Sequence, residues 1–329
     1  MLRKYGIIMG LAIVLSACQP SPTFLNPASP ISGHEAELYR EVLIEAISIF
    51  VFITGILIWI LIRDRSRGDK KSIPPQMHGK AIWATIPILA IVVLDGMDFV
   101  WMVQTMNRVA IPKSATTDLN IQVVGHRWWW EFDYPDQGIA TANELHVPVG
   151  TTVQISLKSV DVIHSFWIPQ LSGKTDVIPG QHNTMWLTGD QVGEYLGQCA
   201  EFCGTEHAMM RFKVFVDSQA DFDAWVANQK QAAYQPQTED EQAGYKEVTG
   251  ACAACHSLDP SEMNTDKVGP NLTHLFSRTT FAGGTFDLNE ANLRSWLHDT
   301  QAMKPGNDME ISIPAKQLDQ IVAYLTHLK

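Results

Sequence analysis

The 329-residue chain is long enough for two soluble domains plus membrane segments, and its net charge of -11 argues against nucleic acid as a partner. Apolar residues make up 46% of it, an ordinary average, but they are unevenly placed. The acidity falls mostly in the second half, while a short basic cluster (Arg63, Arg65, Arg67, Lys70, Lys71) sits between two apolar runs.

At the N-terminus, Arg3 and Lys4 precede an apolar run over 6–15 that is too short to span a bilayer, so residues 1–17 read as a signal peptide. The ending Leu15-Ser16-Ala17-Cys18 resembles the bacterial lipoprotein signal, which implies lipidation of Cys18; the alternative is an ordinary leader with a spare thiol. Residues 18–36 then form a Pro/Ser-rich tether, and 37–110 a transmembrane hairpin with spans at about 42–62 and 81–103. Trp83 and Trp101 suit the span ends as interface anchors, and the basic cluster puts the loop between the spans in the cytoplasm. Both termini and the soluble domains are thereby outside a bacterial plasma membrane. Asp95 and Asp98 share a helical face in the outer part of the second span, and Asp95 in particular calls for a protein neighbour in the membrane.

From 117 to 230 the pattern changes to short β-branched or alternating runs (119–124, 151–159, 184–187, 211–216) separated by turn residues, an all-β domain closed by a short helix at 222–230. His164 is placed between strands, and Cys199-x3-Cys203-x3-His207-x2-Met210 in a loop before the last strand. Two thiolates, imidazoles and a thioether are soft to borderline ligands that select copper over hard cations. The spacing alone leaves a zinc site or a Cys199–Cys203 disulfide open.

Four ordered motifs carry a family resemblance over 37–225. Gly125-His126-Arg127-Trp128-Trp129-Trp130, Asp161-Val162-Ile163-His164-Ser165, Gly173 to Gly180 and Gly197-Gln198-Cys199-Ala200-Glu201-Phe202-Cys203-Gly204 resemble subunit II of haem–copper cytochrome c oxidases. The resemblance implies a cupredoxin fold holding a binuclear copper A centre on His164, Cys199, Cys203, His207, Met210 and the Glu201 carbonyl. It further implies that the Glu201 side chain reaches a magnesium ion at the interface with subunit I, and that Trp128 is the point of electron entry from cytochrome c. Trp129 and Trp130 are assigned to core packing. One departure is Lys80, where the family usually carries a glutamate associated with proton uptake.

A polar linker covers 231–242, and residues 243–329 follow as a haem domain. Cys252-Ala253-Ala254-Cys255-His256 is the c-type haem attachment pattern, with thioethers from Cys252 and Cys255 and His256 as an axial ligand. Gly269-Pro270-Asn271-Leu272, Trp296-Leu297 and an amphipathic helix over 315–328 resemble an all-α class I cytochrome c, which implies Met309 as the sixth ligand, ahead of Met303. His274 would instead give a bis-histidine site of lower potential.

Together the resemblances imply subunit II of a caa3-type oxidase, taking electrons from an external cytochrome c or similar donor and passing them to subunit I, where O2 is reduced with proton pumping. Subunit III is a further expected partner. Two rivals are the electron-entry subunit of a copper A nitric oxide reductase and a non-enzymatic membrane-tethered electron carrier. A quinol oxidase subunit is disfavoured because that branch lost its copper ligands.

Overall fold

In a computed structural model, the structure describes residues 23–66, 80–110, 118–263 and 267–329. Cys18 lies outside them, and so do most of the basic cluster and the side chains of Lys80 and Trp83.

Two long helices come first, α1 (Pro30–Ser66) and α2 (Lys80–Val109), and both are apolar and long enough to cross a membrane. Phe50, Leu61, Leu89 and Phe99 are exposed along them, as suits helices whose surroundings are lipid or protein rather than water. Asp98 shares a hydrogen bond with Glu45 of α1, whereas Asp95 is exposed. The tether expected over 18–36 is corrected in its second half. Residues from Pro30 onward are helical, and Ser29 and Ser32 are buried against the β domain. The Ser32 hydroxyl donates to the Gln170 carbonyl at 2.6 Å and the Ser29 hydroxyl to the Leu171 carbonyl at 2.5 Å. At the far end of the hairpin, Trp186 Nε1–H donates to the Val109 carbonyl at 2.8 Å.

Ten strands then build two five-stranded sheets. They are β1 (Leu119–His126), β2 (Trp129–Tyr134), β3 (Ile139–Ala142), β4 (Glu144–Pro148), β5 (Val153–Ser159), β6 (His164–Trp167), β7 (Thr175–Val177), β8 (Asn183–Leu187), β9 (Gly193–Cys199) and β10 (Arg211–Asp217). One sheet runs β3-β2-β1-β5-β8 and the other β4-β10-β9-β6-β7, all antiparallel except β1/β5 and β4/β10. The sheets face each other across a core of Trp130, Phe132, Phe166 and Phe212, the last two stacked at 4.4 Å. This is the sandwich in which inner faces interdigitate and outer faces meet water. His164 opens β6 rather than lying between strands, which corrects its expected place, and Cys199 closes β9. Helix α3 (Gln219–Gln229), capped by Ser218, packs Phe222 and Trp225 on the sandwich.

The C-terminal domain starts earlier than expected. Helix α4 (Glu239–Gly250) has a capping box on Thr238 and Glu241, so the linker ends near Thr238 and not at Gln242. A two-stranded ribbon, β11 (Thr280–Phe281) and β12 (Phe286–Asp287), precedes α5 (Glu290–His298), the short α6 (Thr300–Met303) and α7 (Ala315–Leu325). Helices α4 and α7 cross at Gly244, where a Cβ would stand 2.0 Å from the Gln320 carbonyl oxygen. Glycine is what lets the backbones approach this closely. Val248, Trp296, Leu318, Ile321, Val322 and Tyr324 form the second core.

Candidate metal and haem centres

Strands β6 and β9 are neighbours, pairing Phe166 with Cys199, and this brings His164 beside the cysteine loop although it lies 35 positions before Cys199. Cys199 Sγ lies 3.8 Å from Cys203 Sγ, 3.9 Å from His164 Nδ1 and 3.2 Å from the Glu201 carbonyl oxygen. Cys203 Sγ lies 3.5 Å from His207 Nδ1 and 3.8 Å from Met210 Sδ. Each sulfur therefore has its own imidazole and its own weaker donor. All the expected copper-ligating residues are brought together, and Met209, whose carbonyl faces outward to other partners, is not among them.

This geometry bears on the alternatives. A disulfide needs sulfurs about 2.0 Å apart, and both cysteines are free thiols. A structural zinc ion takes four ligands in a tetrahedron, fewer than the two sulfurs, two imidazoles, thioether and carbonyl that converge here. The set fits two soft metal ions sharing a pair of thiolates. The Cys203 sulfur beside it, with help from His164, pulls the Cys199 thiol well below its ordinary value against burial. The same contact, and burial, push Cys203 up. A cation bound by both sulfurs takes the place of the thiol protons.

Asp161 was quoted in the sequence motif without a role, and the structure gives it one. Its Oδ1 lies 2.8 Å from His164 Nε2, so Nε2 carries the proton and Nδ1 is left bare toward the sulfurs. The backbone N–H groups of Val162 and Arg127 donate to the same carboxylate at 2.6 and 2.7 Å. Burial pushes Asp161 up, but these hydrogen bonds, with His164 foremost, leave it below the ordinary carboxylate range. Asp161→Asn should weaken copper binding by about ten- to hundredfold in competition with a chelator, with haem absorption unchanged.

Trp128 is buried and its Nε1–H donates to the Cys203 carbonyl at 3.0 Å. The other side of this indole lines a cavity of about 540 Å³ between the two domains. Cys252, Cys255, His256 and Met309 line the same cavity, along with Trp129, Leu297 and Ile321. Met303 and His274 do not. His274 is buried with Nδ1 2.9 Å from the Lys329 carbonyl and Nε2 3.0 Å from the Gln231 carbonyl, so both ring nitrogens are engaged. His256 Nδ1 lies 2.7 Å from the Pro270 carbonyl, which puts the proton there and leaves Nε2 as the ligand atom. Burial, helped by Arg278 and Lys267, pushes His256 below its ordinary value and keeps it neutral. An apolar cavity with two thiols, a bare imidazole nitrogen and a thioether fits a covalently held haem. Trp130 is core, as expected; Trp129 instead stacks on His126 at 4.1 Å and donates from Nε1 to the Val268 carbonyl of the C-terminal domain at 3.2 Å. The Glu201 side chain is exposed.

Residues 137–217 match the family model for the periplasmic domain of cytochrome c oxidase subunit II, and residues 241–329 match that for cytochrome c. Cytochrome c oxidase subunit 2 of Alkalihalophilus pseudofirmus is 31% identical over 97% of this chain and 95% of its own length. The Bacillus subtilis protein of the same description is 31% identical over 100% of this chain and 98% of its own. Among solved structures, the periplasmic domain of subunit II of cytochrome oxidase from Bradyrhizobium japonicum aligns at 32% identity over 34% of this chain and 94% of that one, with a TM-score of 0.34. The chain belongs to the cytochrome c oxidase subunit 2 family and carries a cytochrome c domain at its C-terminal end.

Proposed function

We propose that this chain is the electron-entry subunit of a caa3-type cytochrome c oxidase. It accepts electrons from an external donor on a covalent haem c and a binuclear copper A centre, and delivers them to subunit I, where O2 is reduced to water with proton pumping. The observation that carries the reading is Trp128, whose one indole borders the haem-sized cavity and donates to the carbonyl of Cys203. A copper pair bridged by two sulfurs and a c-type haem each supply one-electron storage with little rearrangement of their ligands.

The chain's own residues make that storage possible. Cys199, Cys203, His164, His207, Met210 and the Glu201 carbonyl would hold the copper pair. Asp161 holds His164 in one tautomer, and the Pro270 carbonyl does the same for His256. Cys252 and Cys255 would hold the haem covalently, His256 and Met309 would be its iron ligands, and Trp296, Leu297 and Ile321 would keep water from it. The exposed Glu201 carboxylate suits a magnesium ion shared with subunit I, and Cys18 a lipid anchor on the outer face. Both apolar helices pack against subunit I and subunit III in this reading, with the soluble domains outside.

The test is gas consumption by the complex purified in mild detergent with a reduced donor. Oxygen uptake with a c-type haem and two coppers per chain is expected; nitric oxide turnover without oxygen uptake, or recovery of the chain without any larger haem-bearing subunit, would overturn it.

A further inference from the structure

The C-terminal domain touches the copper domain through buried polar groups, not merely at its rim. Glu144, at the start of β4, is 3% exposed. Its Oε1 accepts from the Thr279 and Thr280 N–H groups at 2.8 Å each and from their hydroxyls at 2.7 and 3.0 Å. Four donors of one dipeptide thus converge on one carboxylate of the other domain, and hydrogen bonds to an ionised acceptor are the strong ones. Lys304, also 3% exposed, bridges the domains from the opposite direction. Its ammonium donates to the Met209 carbonyl of the copper loop and to Ala282 of its own domain, at 3.1 Å each.

Between these two points the turn Ala282-Gly283-Gly284 packs on the copper-domain backbone at Trp128, Met209 and Arg211. Arg211 N–H donates to the Gly283 carbonyl at 2.8 Å, and Thr285 Oγ1 to the Met209 carbonyl at 2.8 Å. Gly283 has φ +73, and a Cβ there would stand 2.5 Å from the Trp128 carbonyl oxygen. The connecting segment is held as well. The Gln231 carbonyl is engaged by His274, and the Tyr234 carbonyl accepts from Tyr324. A swinging tether would leave such groups in water.

We propose that Glu144 and Lys304 hold the cytochrome c domain in one fixed seat on the copper domain, and that this seat closes the Trp128 surface to any second protein donor. The inference rests on the electron-entry reading above and goes beyond it by assigning positioning residues and excluding a competing docking site. A diffusible donor then meets the C-terminal domain and has no separate approach to the copper loop. Glu144 lies outside the haem-sized cavity while Lys304 borders it, and both act by fixing the distance between the two centres.

Thr279 and Thr280 report the seat directly, because the acceptor of both amides belongs to the other domain. Hydrogen exchange read by mass spectrometry on the full-length complex should show both amides protected. In Glu144→Ala their exchange should rise at least tenfold, while haem and copper absorption persist. In stopped-flow mixing with a reduced soluble cytochrome c, wild type should show haem reduction preceding copper reduction, and Glu144→Ala a fraction of copper reduced directly. Should Glu144→Ala not fold, Lys304→Met combined with Thr280→Val loosens the same seat from the other side, read at Thr279. Wild-type amides exchanging as fast as those of exposed Glu310 and Ser312, or exchange unchanged in both variants, would overturn the seat. Absence of copper or haem from the wild-type chain would instead overturn the electron-entry reading.

Discussion

Replacing Cys199 by serine should strip both coppers from the purified complex, leave the haem c absorption in place, and reduce oxygen uptake to background. Cys199 Sγ lies 3.2 Å from the Glu201 carbonyl oxygen, faces His164 Nδ1 and stands 3.8 Å from Cys203 Sγ, a position from which it would serve both metal positions at once. A serine hydroxyl is a harder, less acidic donor and does not bridge soft metals. With one sulfur gone, His164 is left with no shared ligand to the Cys203 side. Cys203→Ser should behave alike, since His207 and Met210 gather on that sulfur. Metal analysis decides it: two coppers per wild-type chain falling below one in either variant is expected. Zinc in the wild-type protein, or a single copper retained with one sulfur ligand, contradicts the assignment.

The second large effect is expected at Met309. Met309→Leu should convert the haem to a form lacking its sulfur ligand and lower its midpoint potential on the order of a few tenths of a volt, within the range that axial ligands control. Met303→Leu should do neither. Met309 lines the cavity with His256, and its loop is held open by Asn307, whose side chain accepts from the Met309 N–H at 2.8 Å. Met303 ends α6 and packs against the hydrophobic core. A potentiometric titration of the two variants separates the candidates: a drop in Met303→Leu alone would return the choice to Met303, and no drop in either would point to another ligand.

The copper loop was legible because its cysteines, His207 and Met210 fall within one short stretch whose spacing has chemical meaning. His164 needed the family resemblance, since the β6–β9 pairing that delivers it is invisible to local pattern. Strand β5 was found because its burial alternates, and β2 was missed because its burial does not. All six residues of β2 are buried, Glu131 among them through its 2.9 Å contact with His126, so no period of two shows. Strand β9 alternates too, but its glycines at 193 and 197 break the run of β-forming residues, and it was not among the expected strands. The interdomain seat had no sequence signal at all. Glu144 and Lys304 look like solvated charges, and the partners of Glu144 lie 135 and 136 positions away. Ser29 and Ser32 passed for linker for the same reason, because their acceptors at Gln170 and Leu171 are fixed only by the fold.

Those serines have a mechanical consequence. The β domain stands on two legs: the segment entering α1 grips it at Gln170 and Leu171, and the segment leaving α2 grips it at Trp186. A body on one stalk can spin about it, whereas a body on two cannot without shearing one joint. Torque on the outer domains, from crowding or from a passing donor, is therefore carried into the helix pair instead of rotating the copper loop away from its neighbour in the membrane.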